Sequence, residues 1–341
     1  MPTKPLVYKS PDDGKDLSIF LGGDTFLGFA AQSILESKGY TYPFKYLRSI
    51  YKEADVRTLN LEAPISKMAK ELTAEKKYKY NMSPRVLEGF KKEKFDIFYM
   101  ANNHTTDYGH DGLLESIALL KKEKMIPLGA GKNIEEAKKA LIIKKGTIQA
   151  AILNYMSYRK NYDEKYHHFA SHNHSGVRAL SEQAVQEDIQ QLRKLGVHVI
   201  IVSIHWGDNY EPVSKKQKRQ AEMISAAGAD VIVGHGSHQF QNIGIANKIP
   251  VFFSVGNFIF HTTPNRTSSL TYGFPLTLHM NEKGLTKVDV WPIHTNNKTV
   301  KFQPRHLSGS TAHTAIQELF SQSDLGKWKT KIANDRGIIY F

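Results

Sequence analysis

The sequence has 341 residues, of which 40% are hydrophobic and 23% are charged, and this balance excludes a disordered chain, a fibrous repeat and a disulfide-stapled miniprotein. It contains no cysteine, so thiolate catalysis, cysteine-ligated zinc and iron–sulfur clusters are excluded as well. A formal net charge of +13 predicts a surface that attracts polyanions, although lysines scattered over a solvated surface explain the same charge equally well.

Apolar runs alternate with helical patterns along the chain, which is typical of an α/β protein. Strands are predicted at 17–23, 54–60, 95–101, 141–144, 148–155, 198–204, 229–233, 249–255, 274–280 and 287–292. Helices are predicted at 111–124, 182–195, 215–227 and near 312–322. Asp111, Ser181 and Ser214 are the expected N-terminal caps of the first three helices, and Gly196 stands where a left-handed residue ends the second one.

The polar stretch 261–269 is the clearest compositional break in the sequence. We therefore predict a main domain at 15–262 and a C-terminal extension at 263–341 that packs on it. The N-terminal segment lacks the apolar run of a signal peptide, and no stretch approaches the roughly 20 apolar residues that cross a bilayer. As the sequence stands we expect a cytoplasmic chain, or an extracytoplasmic one if a membrane anchor was removed.

A second irregular segment, 159–176, carries His167, His168, His172 and His174. Four histidines in close sequence could bind a metal ion, but no regular spacing preorganises them for that purpose. An exposed loop near the active site is the preferred interpretation.

Side chains of the kinds that bind metal ions follow six of the predicted strands. The carboxyl ends of strands in an α/β sheet meet at one crevice, so residues remote in sequence can converge there. The residues concerned are Asp24, Asn60, Glu62, Asn102, Asn103, His104, His205, His235, His238 and Asn257. One such residue is usually a cap or a turn residue, whereas six sites together predict a metal centre.

The mixture of donors indicates the kind of metal. Neutral imidazoles combined with carboxylate and carboxamide oxygens suit Mn²⁺, Zn²⁺ or Fe²⁺, whereas an all-oxygen set would favour Mg²⁺ or Ca²⁺. We expect two ions, because a pair about 3.5–4 Å apart is the arrangement by which phosphoesterases activate water and stabilise the leaving oxygen.

Several motifs together resemble those of the bacterial capsule-synthesis family of CapA/PgsA-like proteins, in the family's order and over about residues 17–262. They are Gly23-Asp24-Thr25-Phe26-Leu27-Gly28, Asn60-Leu61-Glu62-Ala63-Pro64, Ala101-Asn102-Asn103-His104, Gly129-Ala130-Gly131, His205-Trp206-Gly207, Gly234-His235-Gly236-Ser237-His238 and Gly256-Asn257-Phe258. This family resembles the calcineurin-like metallophosphoesterases. The resemblance implies a four-layer α/β/β/α sandwich of metallophosphoesterase type, followed by the C-terminal extension.

The resemblance also implies roles for individual residues. It assigns Asp24 and His238 to one metal ion, Asn103, His205 and His235 to the other, and Glu62 to the bridge between them.

His104 matches the histidine that protonates the leaving group or stabilises its charge, and Asp107 could orient it. Asn60, Asn102 and Asn257 are expected to contact the substrate or the ligands, although Asn257 could equally be a turn amide bonded to its own backbone.

Two positions depart from the wider phosphoesterase pattern. Phe26 stands where that superfamily has a histidine ligand, and Glu62 replaces the usual bridging aspartate. An incomplete ligand set predicts weaker binding of the first ion, so hydrolysis does not follow from the fold.

Three functions therefore compete. The preferred one is a metal-dependent hydrolase that acts on a phosphoester or on an amide in an anionic polymer such as poly-γ-glutamate. The second is a non-catalytic capsule assembly protein that binds the polymer, and in both cases the resemblance implies the capsule synthesis machinery as a partner. A nuclease is disfavoured because no basic groove interleaved with aromatic residues is evident, so no nucleic acid partner is expected.

Overall fold

The computed structural model describes residues 3–10, 14–67, 70, 76–260 and 272–341. In chain order the strands are β1 (Leu6–Lys9), β2 (Leu17–Phe26), β3 (Val56–Leu61), β4 (Ile97–Tyr99), β5 (Ile126–Leu128), β6 (Ala130–Gly131), β7 (Leu141–Lys145), β8 (Ile148–Ser157), β9 (Gly176–Val177), β10 (Ala179–Leu180), β11 (Val199–His205), β12 (Val231–His235), β13 (Phe240–Ala246), β14 (Ile249–Val255), β15 (Asn257–Phe260), β16 (Tyr272–Gly273), β17 (Leu276–Asn281), β18 (Gly284–Val290), β19 (Ile293–His294), β20 (Arg305–His306), β21 (Lys329–Ala333) and β22 (Arg336–Tyr340). Each predicted strand has a counterpart among them.

The helices lie between and after these strands. They are α1 (Ala30–Lys38), α2 (Arg48–Tyr51), α3 (Val86–Lys92), α4 (Gly109–Lys122), α5 (Ile134–Ala137), α6 (Lys160–Tyr166), α7 (Glu182–Lys194), α8 (Lys215–Ala226), α9 (Asn297–Val300) and α10 (Gly309–Ser321), with a short 3-10 turn at Tyr42–Phe44. Within the described residues, no helix is long and apolar enough to cross a membrane.

Most of the strands form two mixed sheets. In the described chain the first sheet has the order β1-β7-β8-β11-β12-β14-β13, with β10 beside β8. The second has the order β21-β22-β18-β17-β2-β3-β4-β5, with β15 beside β2. The central pairs of the first sheet are parallel, and so are the pairs that join β2, β3, β4 and β5 in the second.

The two sheets pack face to face around a shared apolar core. Alternate residues of β2 point to opposite faces, so Leu17 and Ile19 lie between the sheets with Ile152 and Ile201, while Phe20 lies on the outer face. Helices α1–α4 cover the outer face of the second sheet, and α7 and α8 cover that of the first. The predicted four-layer α/β/β/α sandwich is confirmed.

The helix starts agree with the sequence at two of the three expected caps. The side chain of Ser181 accepts a hydrogen bond from the N–H of Ala184, and Ser214 forms a full capping box with Gln217. Gly196 has the predicted left-handed backbone, with φ +75°. Asp111 is not a cap, because α4 begins two residues earlier at Gly109 and places Asp111 in its first turn.

Strand β2 also differs from the prediction at its end. It was expected to stop at residue 23, but it continues to Phe26 because Asp24 pairs with Asn60 of β3 and with Asn257 of β15. The register of β2 against β3 shifts between Leu21 and Asp24. Asp24 therefore lies within the strand, directly after this irregularity at Gly22 and Gly23, and not in a loop that follows the strand.

The C-terminal segment contributes strands to the second sheet and a helix to the core between the sheets. Strands β17 and β18 extend the second sheet directly from β2, and α10 packs Ala315, Ile316 and Leu319 into the core between the sheets. The predicted domain boundary at residue 262 lies outside the described residues.

Candidate metal centre

The predicted ligands come together where the strand ends of the two sheets meet. Asp24 lies in β2, Glu62 directly follows β3, and Asn103 follows β4 in the second sheet. From the first sheet, His205 and His235 are the last residues of β11 and β12. His238 lies in the loop after β12. All except Asn103 are buried.

Among the described residues, two triads bring potential ligand atoms within 4.8 Å of one another. One consists of Asp24, His205 and His235, and the other of Asp24, Glu62 and His238. Asp24 Oδ1 lies 3.7 Å from His235 Nδ1, and Asp24 Oδ2 lies 3.5 Å from His238 Nδ1. Asp24 is therefore the side chain that belongs to both triads, whereas the resemblance assigns the bridging position to Glu62.

The two carboxyl groups are fully buried side by side. Burial raises the pKa of Asp24, against the opposing effect of His238 and of hydrogen bonds from Asn60 and Gly236. Burial and the neighbouring Asp24 raise the pKa of Glu62 well above its usual range. Two carboxylates in this position repel each other, and a bound cation is the ordinary means of stabilising both.

Two buried oxygens at this centre lack a hydrogen-bond partner within the described part of the chain. They are Glu62 Oε1, 3.4 Å from His238 Nε2, and Asn103 Oδ1. Orphaned buried oxygens are rare in folded proteins and call for an explanation such as an ion or a water molecule. The donors present, which are carboxylates, an amide oxygen and imidazoles, fit a divalent cation.

Burial favours the neutral form of His205 and His235, which is the form that a metal ligand needs. Burial lowers the pKa of His235 to about 3, and burial together with His235 lowers the pKa of His205 well below its usual range. The ring of His235 faces His205 through its Nδ1, at 3.2 Å, and bonds the Ser203 hydroxyl through Nε2, at 3.0 Å. That outer hydrogen bond fixes the orientation of the ring.

His104 and Asp107 form the pair that the sequence suggested. The ring Nδ1 of His104 lies 2.6 Å from Asp107 Oδ2, and Tyr80 stacks on the imidazole with ring centroids 3.9 Å apart. Burial, followed by the charge of Lys76, lowers the pKa of His104 in spite of Asp107. Burial alone would raise the pKa of Asp107, but His104 and then Lys76 outweigh it and lower that pKa.

The three predicted asparagines contact the ligands or their loops. Asn60 donates to Asp24 Oδ1 at 2.8 Å and to Glu62 Oε2 at 3.3 Å. The side chain of Asn257 meets His238 Nδ1 at 3.1 Å and not its own backbone. Asn102 is fully buried and bonds Asn60 and the Leu61 carbonyl, so it orders the loop without reaching the cleft.

A cleft of about 400 Å³ opens over this centre. Asn103, His104 and His205 line it, and of the described charged side chains that line it, Lys76, Lys77 and Arg159 are cationic and none is acidic. Lys76 and Lys77 were not among the site residues predicted from the sequence. The alternation Lys76-Lys77-Tyr78-Lys79-Tyr80 was the available signal, because basic residues interleaved with aromatic ones are typical of anion-binding surfaces. The expectation of no nucleic acid partner rested on the absence of such a groove, so this cleft leaves that expectation without its ground.

The histidine-rich segment 159–176 is more ordered than predicted. It contains α6, whose Tyr162 and Tyr166 line the cleft. His168 is fully buried, with its Nδ1 at 2.6 Å from the Thr106 hydroxyl and its Nε2 at 2.9 Å from the Asn102 carbonyl. His168 therefore fixes the turn that carries Asn102 and Thr106, whereas His167 and His172 are exposed.

Comparison with known proteins gives a consistent family and fold. A sequence model described as bacterial capsule synthesis protein PGA_cap matches residues 18–262. The PGA biosynthesis protein CapA of Bacillus subtilis (strain 168) is 28% identical over 320 residues, which are 92% of this chain and 80% of that protein.

Two solved structures are similar. NAD nucleotidase of Haemophilus influenzae has a TM-score of 0.50 at 15% identity, covering 91% of this chain, and this chain spans only 57% of that one. The calcineurin-like phosphoesterase YfkN of Bacillus subtilis has a TM-score of 0.45 at 14% identity, covering 90% of this chain and 97% of that one. The expected resemblance and the metallophosphoesterase-type fold are confirmed.

Proposed function

Because the chain belongs to the PGA_cap family of bacterial capsule synthesis proteins, we propose that it is a metal-dependent hydrolase that cleaves a phosphoester or an amide bond in an anionic capsule polymer. The observation that carries the proposal is the pair of buried triads that share Asp24 beneath a cleft with cationic walls. Poly-γ-glutamate is the proposed polymer, since the relative in Bacillus subtilis is named for PGA biosynthesis. Association with the capsule synthesis machinery is part of the same proposal.

We propose two divalent ions, of Mn²⁺, Zn²⁺ or Fe²⁺, since mixed imidazole and oxygen donors suit these metals. Asp24, Glu62 and His238 would hold one ion. Asn103, His205 and His235 would hold the other, with Asp24 also within reach of the two histidines. Glu62 remains the proposed bridge, since its Oε1 is buried and lacks a hydrogen-bond partner among the described residues, whereas both oxygens of Asp24 accept hydrogen bonds.

Such ions supply Lewis-acid activation of water and of a substrate oxygen. The remaining roles fall to the chain itself. His104 lines the cleft, where its ring, when protonated at both nitrogens, can donate the Nε2 proton to a leaving group, and Asp107 holds that ring by its Nδ1. Lys77 and Arg159 on the cleft walls attract an anionic substrate.

Metal analysis of the purified chain, followed by a screen of phosphoester and γ-glutamyl substrates with each ion restored, tests this function. We expect chelation to abolish turnover, and Glu62→Gln and His205→Gln to lower it by at least about 100-fold, since each removes a proposed ligand. His172→Gln, which removes an exposed histidine, is the matched control and should retain activity. Turnover that survives both chelation and Glu62→Gln would refute the proposed dependence on metal ions, and no turnover with any ion restored would refute the hydrolase.

One observation favours a non-catalytic alternative. Phe26, at the sequence position where the superfamily has a histidine ligand, is fully buried and stacks on Tyr80 with ring centroids 4.4 Å apart, so this position supplies no ligand atom. The alternative is a capsule assembly protein that binds the polymer through the cationic cleft. Poly-γ-glutamate binding that survives chelation and weakens with rising ionic strength, in a chain without turnover, would favour this alternative.

A further inference from the structure

Lys76 occupies an unusual position for a lysine in this cleft. Its side chain is only 9% exposed, and its Nζ donates to the backbone carbonyl of Asn103 at 2.5 Å and pairs with Asp107 Oδ1. The ammonium also lies over two rings of α6, 5.3 Å from the centroid of Tyr162 and 5.8 Å from that of Tyr166. A lysine held in this way is not available as a mobile anion-binding group.

The partners of Asp107 show what this lysine does. The carboxylate is fully buried, and its Oδ2 accepts from the ring of His104 and from the N–H of Tyr80 at 2.7 Å. These donors are neutral when His104 is neutral, so they leave a buried negative charge uncompensated. Lys76 supplies the compensating charge at the other oxygen, which a buried carboxylate requires.

The contact with Asn103 connects the same ammonium to the metal centre. Lys76 fixes the backbone carbonyl of Asn103, whose side-chain Oδ1 is buried without a partner among the described residues. Residues 103 and 107 belong to one turn that begins after β4, with His104 between them. One cation thus holds both ends of the segment that carries the proposed ligand and the proposed proton donor.

We propose that Lys76 is a positioning residue that fixes His104, through Asp107, relative to the Asn103 side chain. Its catalytic consequence rests on the proposed hydrolase function, whereas the fixed geometry of His104 does not. The aromatic rings of α6 complete the arrangement, because cation–π contacts with Tyr162 and Tyr166 hold the ammonium from the cleft side.

The matched pair Lys76→Met and Lys77→Met separates positioning from simple attraction of substrate. Both variants remove one positive charge from the same cleft, but Lys77 is exposed and its ammonium lies over Tyr78. We expect Lys76→Met to lower kcat by about 100-fold with little change in KM, as for a displaced catalytic group. Lys77→Met should act on KM, and more strongly at low salt.

A readout that needs no turnover is histidine-selective ¹⁵N NMR of the metal-free chain. We expect Lys76→Met to shift or broaden the Nδ1 signal of His104, as Asp107→Asn does, and Lys77→Met to leave it unchanged. Asp107→Asn combined with Lys76→Met should cost no more in kcat than Asp107→Asn alone, because both changes break one unit.

Tyr162→Leu and Tyr162→Phe provide a milder test if Lys76→Met fails to fold. Leucine removes the ring beneath the ammonium and should shift the His104 signal, whereas phenylalanine keeps the ring and should not. An unshifted His104 signal in both Lys76→Met and Tyr162→Leu would overturn the inference. A shifted signal in a chain without any hydrolytic turnover would uphold the positioning and refute the proposed function instead.

Discussion

Glycine is required at position 236 for two reasons, which are the close approach of His205 and a positive φ angle. Its N–H donates to Asp24 Oδ2 at 3.0 Å, and a Cβ built on it would lie 2.6 Å from the ring of His205. Its φ of +101° is a conformation that residues with side chains rarely adopt. Gly236 therefore lets the candidate ligands Asp24, His205 and His235 approach one another.

Gly236→Ala should weaken divalent metal binding by about 10- to 100-fold, because the methyl group displaces His205 and the N–H that supports Asp24. Gly228→Ala is the matched control, since Gly228 has φ +103° and a Cβ there meets its nearest atom at 3.4 Å. Both variants should lose about 1–2 kcal/mol of stability from the positive φ. Equal metal affinity in the two variants, measured by calorimetric titration, would contradict this steric account.

The residues of the candidate metal centre could be predicted from the sequence because each lies at or just after the end of an apolar run within a recognisable motif. Lys76 could not, because a lysine in a run of lysines and tyrosines is usually solvated and its burial depends on Asp107 and α6, which are remote in sequence. The position of Asp24 within both triads depends on distances between two sheets, which sequence spacing does not define.

At the scale of elements, the helix caps contribute stability that can be measured one at a time. The Ser214 hydroxyl accepts a hydrogen bond from the N–H of Gln217 at 3.2 Å, and the side-chain oxygen of Gln217 accepts one from the N–H of Ser214 at 3.0 Å. Ser308 is the N-cap residue of α10, as Ser214 is of α8, but its side chain makes no cap hydrogen bond.

Ser214→Ala should therefore lower the free energy of unfolding by about 1 kcal/mol, the usual loss for a serine cap. Ser308→Ala should change it by less than about 0.5 kcal/mol, as expected for an exposed side chain without such a bond. Urea unfolding followed by circular dichroism measures both. Equal losses in the two variants would show that the capping box of α8 adds nothing to stability.

The elements that the sequence predicted are those with a strong periodic or continuous apolar signal, such as β11 and α7. Helix α6 has no buried residue, so its sequence lacks the amphipathic periodicity of a helix and predicts a loop instead. Strand β2 was ended too early because Gly22 and Gly23 look like a turn, whereas pairing with β3 and β15 on both sides continues it to Phe26.

At the scale of the whole molecule, the C-terminal segment is part of the second sheet. Residues Leu276–Met280 of β17 pair antiparallel with Leu17–Leu21 of β2, and β18 and β22 continue the sheet outward. A compositional break in the sequence marks a connection between elements, but it does not show which strand pairs with which. The strand pairing that crosses this break was therefore beyond reach of the sequence.

A chain ending at residue 260 should fail to fold cooperatively. Without residues 272–341, Leu17–Leu21 of β2 lose their partner strand on one side, although Asp24–Phe26 keep β15. The core between the sheets also loses nine large buried side chains, which are Phe274, Leu276, Leu278, Met280, Val288, Val290, Ile316, Leu319 and Ile339. At roughly 2 kcal/mol for each large buried side chain, these nine contribute about 18 kcal/mol, which exceeds the usual 5–15 kcal/mol margin of a folded protein. Co-expression of 1–260 with 272–341 as separate chains should restore a sigmoidal urea transition, because the strand pairing can re-form between them. A sigmoidal transition with native near-UV circular dichroism in 1–260 alone would show instead that the main domain is stable without β17.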